Sequence, residues 1–217
     1  MKKKLLTVMA TGLFLCCMAG MASAVPITIE NASFESFVLA ESVWNTTVEG
    51  WVTNTSIHSG TYHPPDGKYT GNIVPDGHQV AFSNYYDISQ ILQDDLTSDT
   101  VYTLSAYVGW RLDIPSFPNY TMELWASGVQ LASISTPVQT IGTWDLITLS
   151  YTSGGGVTAG QALEIRLDSS ASQVNFDMIG LDATPVSASA PVPEPATMLL
   201  FGTGLAGLVG TRLRRKK

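Results

Sequence analysis

The sequence predicts an all-β protein in which a β-sandwich lies between two terminal segments. Short runs of alternating apolar and polar residues recur through the middle of the chain, separated by clusters of Gly, Pro, Asn and Asp. No 3.6-residue periodicity is sustained there, and roughly eight to ten strands can be counted, which is typical of a sandwich. The charges divide the chain at the same places. Residues 25–190 hold three cations and 17 acids, a formal charge of −14, whereas the whole chain carries −7.

The first 24 residues predict a signal peptide with an apolar helix. Three lysines precede an apolar run from Leu5 to about Met18, and Ala22-Ser23-Ala24 follows. The small residues Ala22 and Ala24 form an A-x-A site, so we expect signal peptidase to cleave before Val25. The alternative is an uncleaved membrane anchor.

Two alternating runs in the predicted sandwich, residues 25–183, assign side chains to faces, because successive strand residues point to opposite sides. Run 101–108 places Leu104, Ala106 and Val108 in the core and leaves Tyr107, and Arg111 beyond it, on the other face. Run 120–125 places Met122 and Leu124 in the core and leaves Glu123 and Trp125 on the other face. Large aromatic residues near turns are usually core, so we expect Trp44, Trp51 and Trp144 to close the ends of the sandwich.

The order of short motifs along residues 27–183 carries a resemblance. The motifs are Asn31-Ala32-Ser33-Phe34-Glu35, Gly50-Trp51, the run from Asp76 to Phe82, the run from Ile88 to Leu92, Trp144 at a strand start, and Phe176-Asp177 in the last strand. This order resembles the galactose-binding-like jelly roll used by many carbohydrate-binding modules of secreted glycosidases. The resemblance implies the fold, and it implies a structural Ca²⁺ held in part by Glu35 and Asp177. The alternative is that both carboxylates accept backbone hydrogen bonds.

A carbohydrate-binding surface is predicted from four outward residues: Tyr107, Arg111, Glu123 and Trp125. If their strands lie in one sheet, the aromatic rings can stack on the apolar face of a sugar while Arg and Glu bond its hydroxyls. Ordinary cross-strand pairing with one ion pair is the alternative. A second possible site is a rim of loop aromatics and polar residues: Tyr62, Tyr69, Tyr85, Tyr86, His63, Asp66, Asp76 and His78.

The composition disfavours several other functions. A body at −14 cannot neutralise a run of phosphates, so nucleic-acid binding is not expected. Both cysteines, Cys16 and Cys17, lie in the predicted signal peptide, and the three histidines lack tight ligand spacing for zinc. No nucleophile-elbow, zincin or nucleotide-loop motif occurs, so a non-enzymatic protein is predicted. A glycosidase carboxylate pair stays open as a rival.

The C-terminus predicts a linker over residues 184–192 and a sorting signal over residues 193–217. Pro193-Glu194-Pro195 is followed by an uncharged stretch that ends at Thr211, and then by a basic cluster. The 17 uncharged residues from Pro195 to Thr211 span roughly 25 Å as a helix, close to the ~30 Å of a bilayer core. These parts resemble a PEP-CTERM sorting signal of Gram-negative bacteria that make exopolysaccharide. The alternative is an ordinary single-span anchor.

Together these features predict an exported, surface-sorted, non-enzymatic protein that binds exopolysaccharide or another glycan of a biofilm matrix. The PEP-CTERM resemblance implies an exosortase as a processing partner and a precursor anchored transiently in the inner membrane, from which the body reaches the cell surface or matrix. A structural or adhesive protein without sugar binding is the rival from another class.

Overall fold

The computed structural model describes residues 23–53, 58–158, 160–170 and 172–186, and residues 23–186 form one compact unit. The predicted signal helix and transmembrane helix lie outside the described residues, as do Ala22, Pro193, Glu194 and Pro195. Ala24 is described and exposed. Within the described part of the chain, no helix has the length and apolar character that a membrane crossing requires.

The described residues form strands and one 3₁₀ turn, Thr70–Asn72. The strands are β1 (Val25–Pro26), β2 (Trp44–Asn45), β3 (Val52–Thr53), β4 (Ser59–Tyr62), β5 (Val80–Ser83), β6 (Ile88–Asp95), β7 (Thr100–Gly109), β8 (Tyr120–Ala126), β9 (Val129–Ile134), β10 (Trp144–Thr152), β11 (Ala162–Ser169) and β12 (Val174–Pro185). A seven-stranded sheet has the order β10-β7-β12-β5-β4-β2, with β1 paired to β12, and a five-stranded sheet has the order β3-β6-β11-β8-β9. All pairings are antiparallel, which confirms the predicted all-β class and a β-sandwich.

The core lies between the two sheets and follows the predicted alternation. Leu104, Ala106 and Val108 of β7 and Met122 and Leu124 of β8 are at most 1% exposed. The alternating strands β7, β8 and β11 bury every second side chain against the opposite sheet. One buried face is therefore enough to fix which residues of these strands point inward.

A second apolar cluster lies on the outer face of the seven-stranded sheet. Ala81 of β5 belongs to the main core, whereas its neighbours Val80 and Phe82 belong to a separate cluster with Tyr62, against which Trp144 packs. The segment before β5 covers this face: Thr70 N–H donates to the Gly142 carbonyl at 2.8 Å. Every residue of β5 is buried because both faces of the strand are covered.

The three tryptophans expected to close the sandwich differ in burial. Trp51 is 7% exposed and its ring centroid lies 5.6 Å from that of Phe34, as predicted for the core. Trp44 is 49% exposed, so the expectation was wrong for this residue. It lies on a two-residue edge strand, β2, where no further strand covers it. Trp144 is part-buried on the outer face, against Tyr69.

The two ends of β12 lead to different parts of the unit. At its start, Asn175 pairs with Gly109 of β7 and with Phe82 of β5. At its end, Ala183 and Asp182 pair with β1, the first strand of the unit. The chain therefore enters the sandwich and leaves it at the same end, far from the start of β12.

Candidate functional site

The four predicted sugar-binding residues do not share a surface. Tyr107 and Arg111 belong to β7 and the loop after it, in the seven-stranded sheet, whereas Glu123 and Trp125 belong to β8, in the five-stranded sheet. Tyr107, Glu123 and Trp125 alternate with core residues in their strands. Arg111 lies over the Tyr62 ring on the outer side of the seven-stranded sheet, so the two pairs lie on opposite outer faces of the sandwich. The expectation of one shared surface was wrong, because β7 and β8 follow each other in sequence but belong to different sheets.

On the five-stranded sheet, Glu123 and Trp125 are engaged with neighbouring side chains. Trp125 Nε1 donates to Glu123 Oε2 at 2.7 Å, and the Arg166 guanidinium lies 3.9 Å from the centroid of the Trp125 ring. Arg166 also donates to both oxygens of Glu164, at 2.7 and 3.0 Å. These contacts match the alternative of cross-strand pairing with an ion pair, and the guanidinium covers one face of the indole ring.

A pocket opens on the seven-stranded sheet. We call it the outer-face pocket, and its cavity of about 340 Å³ is lined by Ser42, Trp44, Tyr62, Phe82, Asn84, Arg111 and Gln173. This volume is near the lower end of the range typical of small-molecule sites, about 300–1,000 Å³. The pocket lies where β4 pairs with β2 and β5, where the loop after β7 begins and where the loop before β12 ends.

Three aromatic side chains form one side of the outer-face pocket. Trp44 and Tyr62 are directly opposite each other across the β2–β4 ladder, and Tyr62 is opposite Val80 across the β4–β5 ladder. Phe82, two residues beyond Val80, therefore points to the same face. Trp44 meets the Phe82 ring edge-on, with centroids 6.2 Å apart at 83°. An exposed indole beside two buried rings provides a surface for a flat apolar group.

Arg111 forms the polar side of the pocket. Its Nη1 donates to Gln173 Oε1 at 2.7 Å, and its Nε and Nη2 donate to the two oxygens of Asp113 at 2.9 and 2.5 Å. Lys68 Nζ lies 2.6 Å from the same carboxylate. These bonds, mainly those from Arg111, lower the pKa of Asp113 to about 2. The guanidinium lies 5.4 Å from the Tyr62 ring centroid, so it is held over the aromatic side of the pocket.

Tyr69 and Trp144 lie beside this site. Their ring centroids are 4.6 Å apart, and Tyr69 is 3% exposed. No described residue provides a hydrogen-bond partner for the buried Tyr69 hydroxyl. Burial raises the pKa of this hydroxyl well above its usual value, and the charges of Arg111 and Asp113 act on it as well. A buried polar atom without a partner is rare in folded proteins.

The predicted calcium pair, Glu35 and Asp177, accepts backbone hydrogen bonds. Glu35 Oε1 accepts from the N–H groups of His78 and Gln79, at 2.8 and 2.5 Å, and Asp177 Oδ2 accepts from the Asp76 N–H at 2.9 Å. Burial raises the pKa of Asp177 to about 7. Among the described residues, no group of three or more His, Cys, Asp or Glu could hold a metal ion. The arrangement matches the backbone-bonding alternative, and calcium stays a prediction.

The sequence identified part of the outer-face pocket. Arg111 was in the predicted sugar set and Tyr62 in the predicted rim, and the structure brings these two together. Tyr85 and Tyr86 of that rim do not line the pocket. Trp44, Phe82, Asn84 and Gln173 were missed as site residues, because their approach depends on the pairing of β2, β4 and β5 and on the loop before β12. The "Val-Ala-Phe-Ser" run of β5 was the available signal, since two apolar residues flank its central Ala81 on the other face.

Family models match both the sandwich and the C-terminal segment of the chain. A family model described as HpiC1 cyclase matches residues 25–182, and a model of the PEP-CTERM protein-sorting motif matches residues 191–216, which confirms the predicted sorting motif. No curated protein sequence matches the chain.

Solved structures are similar to the sandwich. The apo form of a cyclase from Fischerella sp. is 27% identical, with a TM-score of 0.66, and the match covers 76% of this chain and 99% of that one. A cyclase from Fischerella sp. TAU, solved in complex with 4-(1H-indol-3-yl)butan-2-one, is 26% identical, with a TM-score of 0.64 and coverage of 76% and 100%. The tandem CBM22 domains of Paenibacillus barcinonensis Xyn10C are 14% identical, with a TM-score of 0.51 and coverage of 80% and 50%. This last likeness shows a shared fold alone.

Proposed function

The chain belongs to the HpiC1 cyclase family, and we propose that it is an exported surface protein whose sandwich binds a small ring-bearing molecule in the outer-face pocket. The PEP-CTERM motif supports processing by an exosortase. The observation that carries the proposal is the composition of that pocket, in which an exposed indole and two further rings face an ordered guanidinium. Such a mixture of aromatic surface and a few placed polar groups is the usual form of a small-molecule site.

The ligand class follows from the relatives and from the pocket together. A related cyclase binds an indole with a short ketone side chain, and the aromatic side of this pocket suits a flat ring of that kind. The polar groups of Asn84, Arg111 and Gln173 can bond an oxygen on the side chain. A glycan of the matrix, predicted from the sequence, is the less supported ligand, because the four predicted sugar-binding residues lie on two separate faces.

We propose binding without turnover as the first function. The pocket lining includes no carboxylate and no imidazole, which are the common general acids and bases. Ring closure is a second candidate, favoured by the identity with cyclases and by Asp177, whose pKa of about 7 lets it hold a proton at neutral pH. Formation of a ring-closed product from an indole compound, lost in Asp177→Asn, would establish that candidate.

Calorimetric titration of the purified full-length chain with 4-(1H-indol-3-yl)butan-2-one tests the binding proposal. We expect saturable binding that weakens about tenfold or more in Trp44→Ala, since buried tryptophan contacts commonly contribute that much. Trp125→Ala is the matched control, because this tryptophan lies on the opposite sheet, and it should leave binding unchanged.

Two results would contradict the binding proposal. One is the absence of saturable binding to the wild-type chain. The other is binding that depends on Trp125 and not on Trp44. Retention of matrix polysaccharide by the wild type, lost in Trp125→Ala, would favour the glycan function instead.

A further inference from the structure

The cations of the sandwich are concentrated at the outer-face pocket. Residues 25–190 contain only Lys68, Arg111 and Arg166 as basic residues, against 17 acids. Arg166 lies on the five-stranded sheet, paired with Glu164. Lys68 and Arg111 both reach Asp113, at 2.6 and 2.5 Å, beside the pocket. Two of three cations therefore meet at one place in an otherwise acidic domain.

The charges in this group do not cancel. Asp113 is the one carboxylate that both Lys68 and Arg111 bond, so the three side chains together carry a formal charge of +1. The low pKa of Asp113 keeps its charge in place at neutral pH. The ion pair on the other sheet differs, because Arg166 is paired with Glu164 alone and the formal charges of these two side chains sum to zero.

The guanidinium of Arg111 is positioned to use this surplus. Its side chain is 13% exposed, so solvent screens it less than it screens a surface charge. Three of its five N–H groups donate to Asp113 and Gln173, and two are left for a ligand by the described residues. Gln173 is itself held by a 3.3 Å hydrogen bond to the buried Asn175, so the guanidinium is ordered before any ligand arrives.

We propose that the ligand of the outer-face pocket is an aromatic acid, whose ring lies against Trp44, Tyr62 and Phe82 and whose carboxylate bonds Arg111. This inference rests on the proposed function of the pocket and adds the charge of the ligand to it. A carboxylate adds its own negative charge, and a second acceptor oxygen, to the bond that the partly buried guanidinium donates, so an acid is selected over a ketone of the same shape.

Two commercial indoles form a matched pair of probes. In 4-(1H-indol-3-yl)butan-2-one the side chain ends in a methyl ketone, and in 3-(1H-indol-3-yl)propanoate an oxygen anion replaces that methyl group. Calorimetric titration of the full-length chain should give about tenfold tighter binding of the propanoate, because its oxygen anion pairs with the charge of the guanidinium. Added salt should reduce this difference.

Variants of the cations test the assignment of Arg111. Arg111→Met should weaken binding of the propanoate more than binding of the ketone and so remove the difference between the two probes. Arg166→Met, the matched control on the other sheet, should preserve the difference. Lys68→Met leaves the pocket lining intact but removes the local surplus of positive charge. It should therefore reduce the ratio of the affinities for the two probes about threefold. Lys68→Met still tests the proposal if Arg111→Met lowers the melting temperature of the protein.

The outcomes separate the two proposals. Equal affinity of the wild type for both probes, or a difference that survives in Arg111→Met, overturns the aromatic-acid inference and leaves the pocket as a ring-binding site. Failure of both probes to bind overturns the proposed function and this inference with it.

Discussion

Tyr69 and Tyr120 are two buried tyrosines whose hydroxyl groups are treated differently by the fold. Tyr120 is 2% exposed and its hydroxyl donates to the Thr136 carbonyl at 2.8 Å. Tyr69 is 3% exposed, and its hydroxyl lacks a partner among the described residues. An unpaired buried hydroxyl costs about 1–3 kcal/mol of folding free energy, so the region beside the pocket is less stable than its packing alone would make it.

Replacement of each tyrosine by phenylalanine measures this cost. We expect Tyr69→Phe to raise the free energy of unfolding by about 1 kcal/mol or more, because the variant removes an unsatisfied polar atom and keeps the ring. Tyr120→Phe is the matched control and should lower it by about 0.5–1.5 kcal/mol, since the Thr136 carbonyl loses its donor. Urea denaturation of both variants provides the values. A loss of stability in Tyr69→Phe would show that its hydroxyl has a partner in solution.

At the scale of strands, Gly109 at the end of β7 allows Trp144 to lie flat on the sheet. A Cβ atom at Gly109 would come within 2.7 to 2.8 Å of three atoms of the Trp144 ring, whereas a Cβ at Gly154 would meet nothing within 4 Å. Because Trp144 contacts Tyr69, the glycine also determines how the second apolar cluster packs beside the pocket.

We expect Gly109→Ala to destabilise the protein by about 1–3 kcal/mol, since the rigid indole cannot move aside without losing its contacts. Gly154→Ala is the control in open space and should change stability by less than about 0.5 kcal/mol. Chemical denaturation followed by circular dichroism measures both. Equal stability of Gly109→Ala and the wild type would mean that Trp144 is free to adopt another rotamer.

The strands also show which features of this fold can be predicted from sequence. β7 and β8 each bury one face, so their alternation gave the correct core residues. The same alternation contains no information about which sheet a strand joins. For that reason the prediction that Tyr107 and Trp125 share one surface was wrong. Tyr62 and Arg111 were recognised as candidates by residue type. Trp44 was not recognised as a site residue, because its partner Tyr62 is 18 residues away and β2 pairs with β4 through only two residues.

For the whole chain, the PEP-CTERM motif predicts a mature protein that is shorter than the translated sequence. We expect intact-mass spectrometry of protein recovered from the cell surface to give a chain that begins at Val25 and ends near Pro193 to Pro195. Glu194→Ala changes the tripeptide and should leave the tail in place, so it is the matched control. A surface form of the wild type that still ends at Lys217 would contradict processing.

The strand β12 connects the outer-face pocket to the point where the sandwich ends. Its 12 residues separate the two by on the order of 30 Å, and β1 brings the start of the unit to the far end as well. An attachment made at the end of β12 therefore lies at the end of the sandwich opposite the outer-face pocket. A label or tether joined there would leave the pocket open to dissolved ligands.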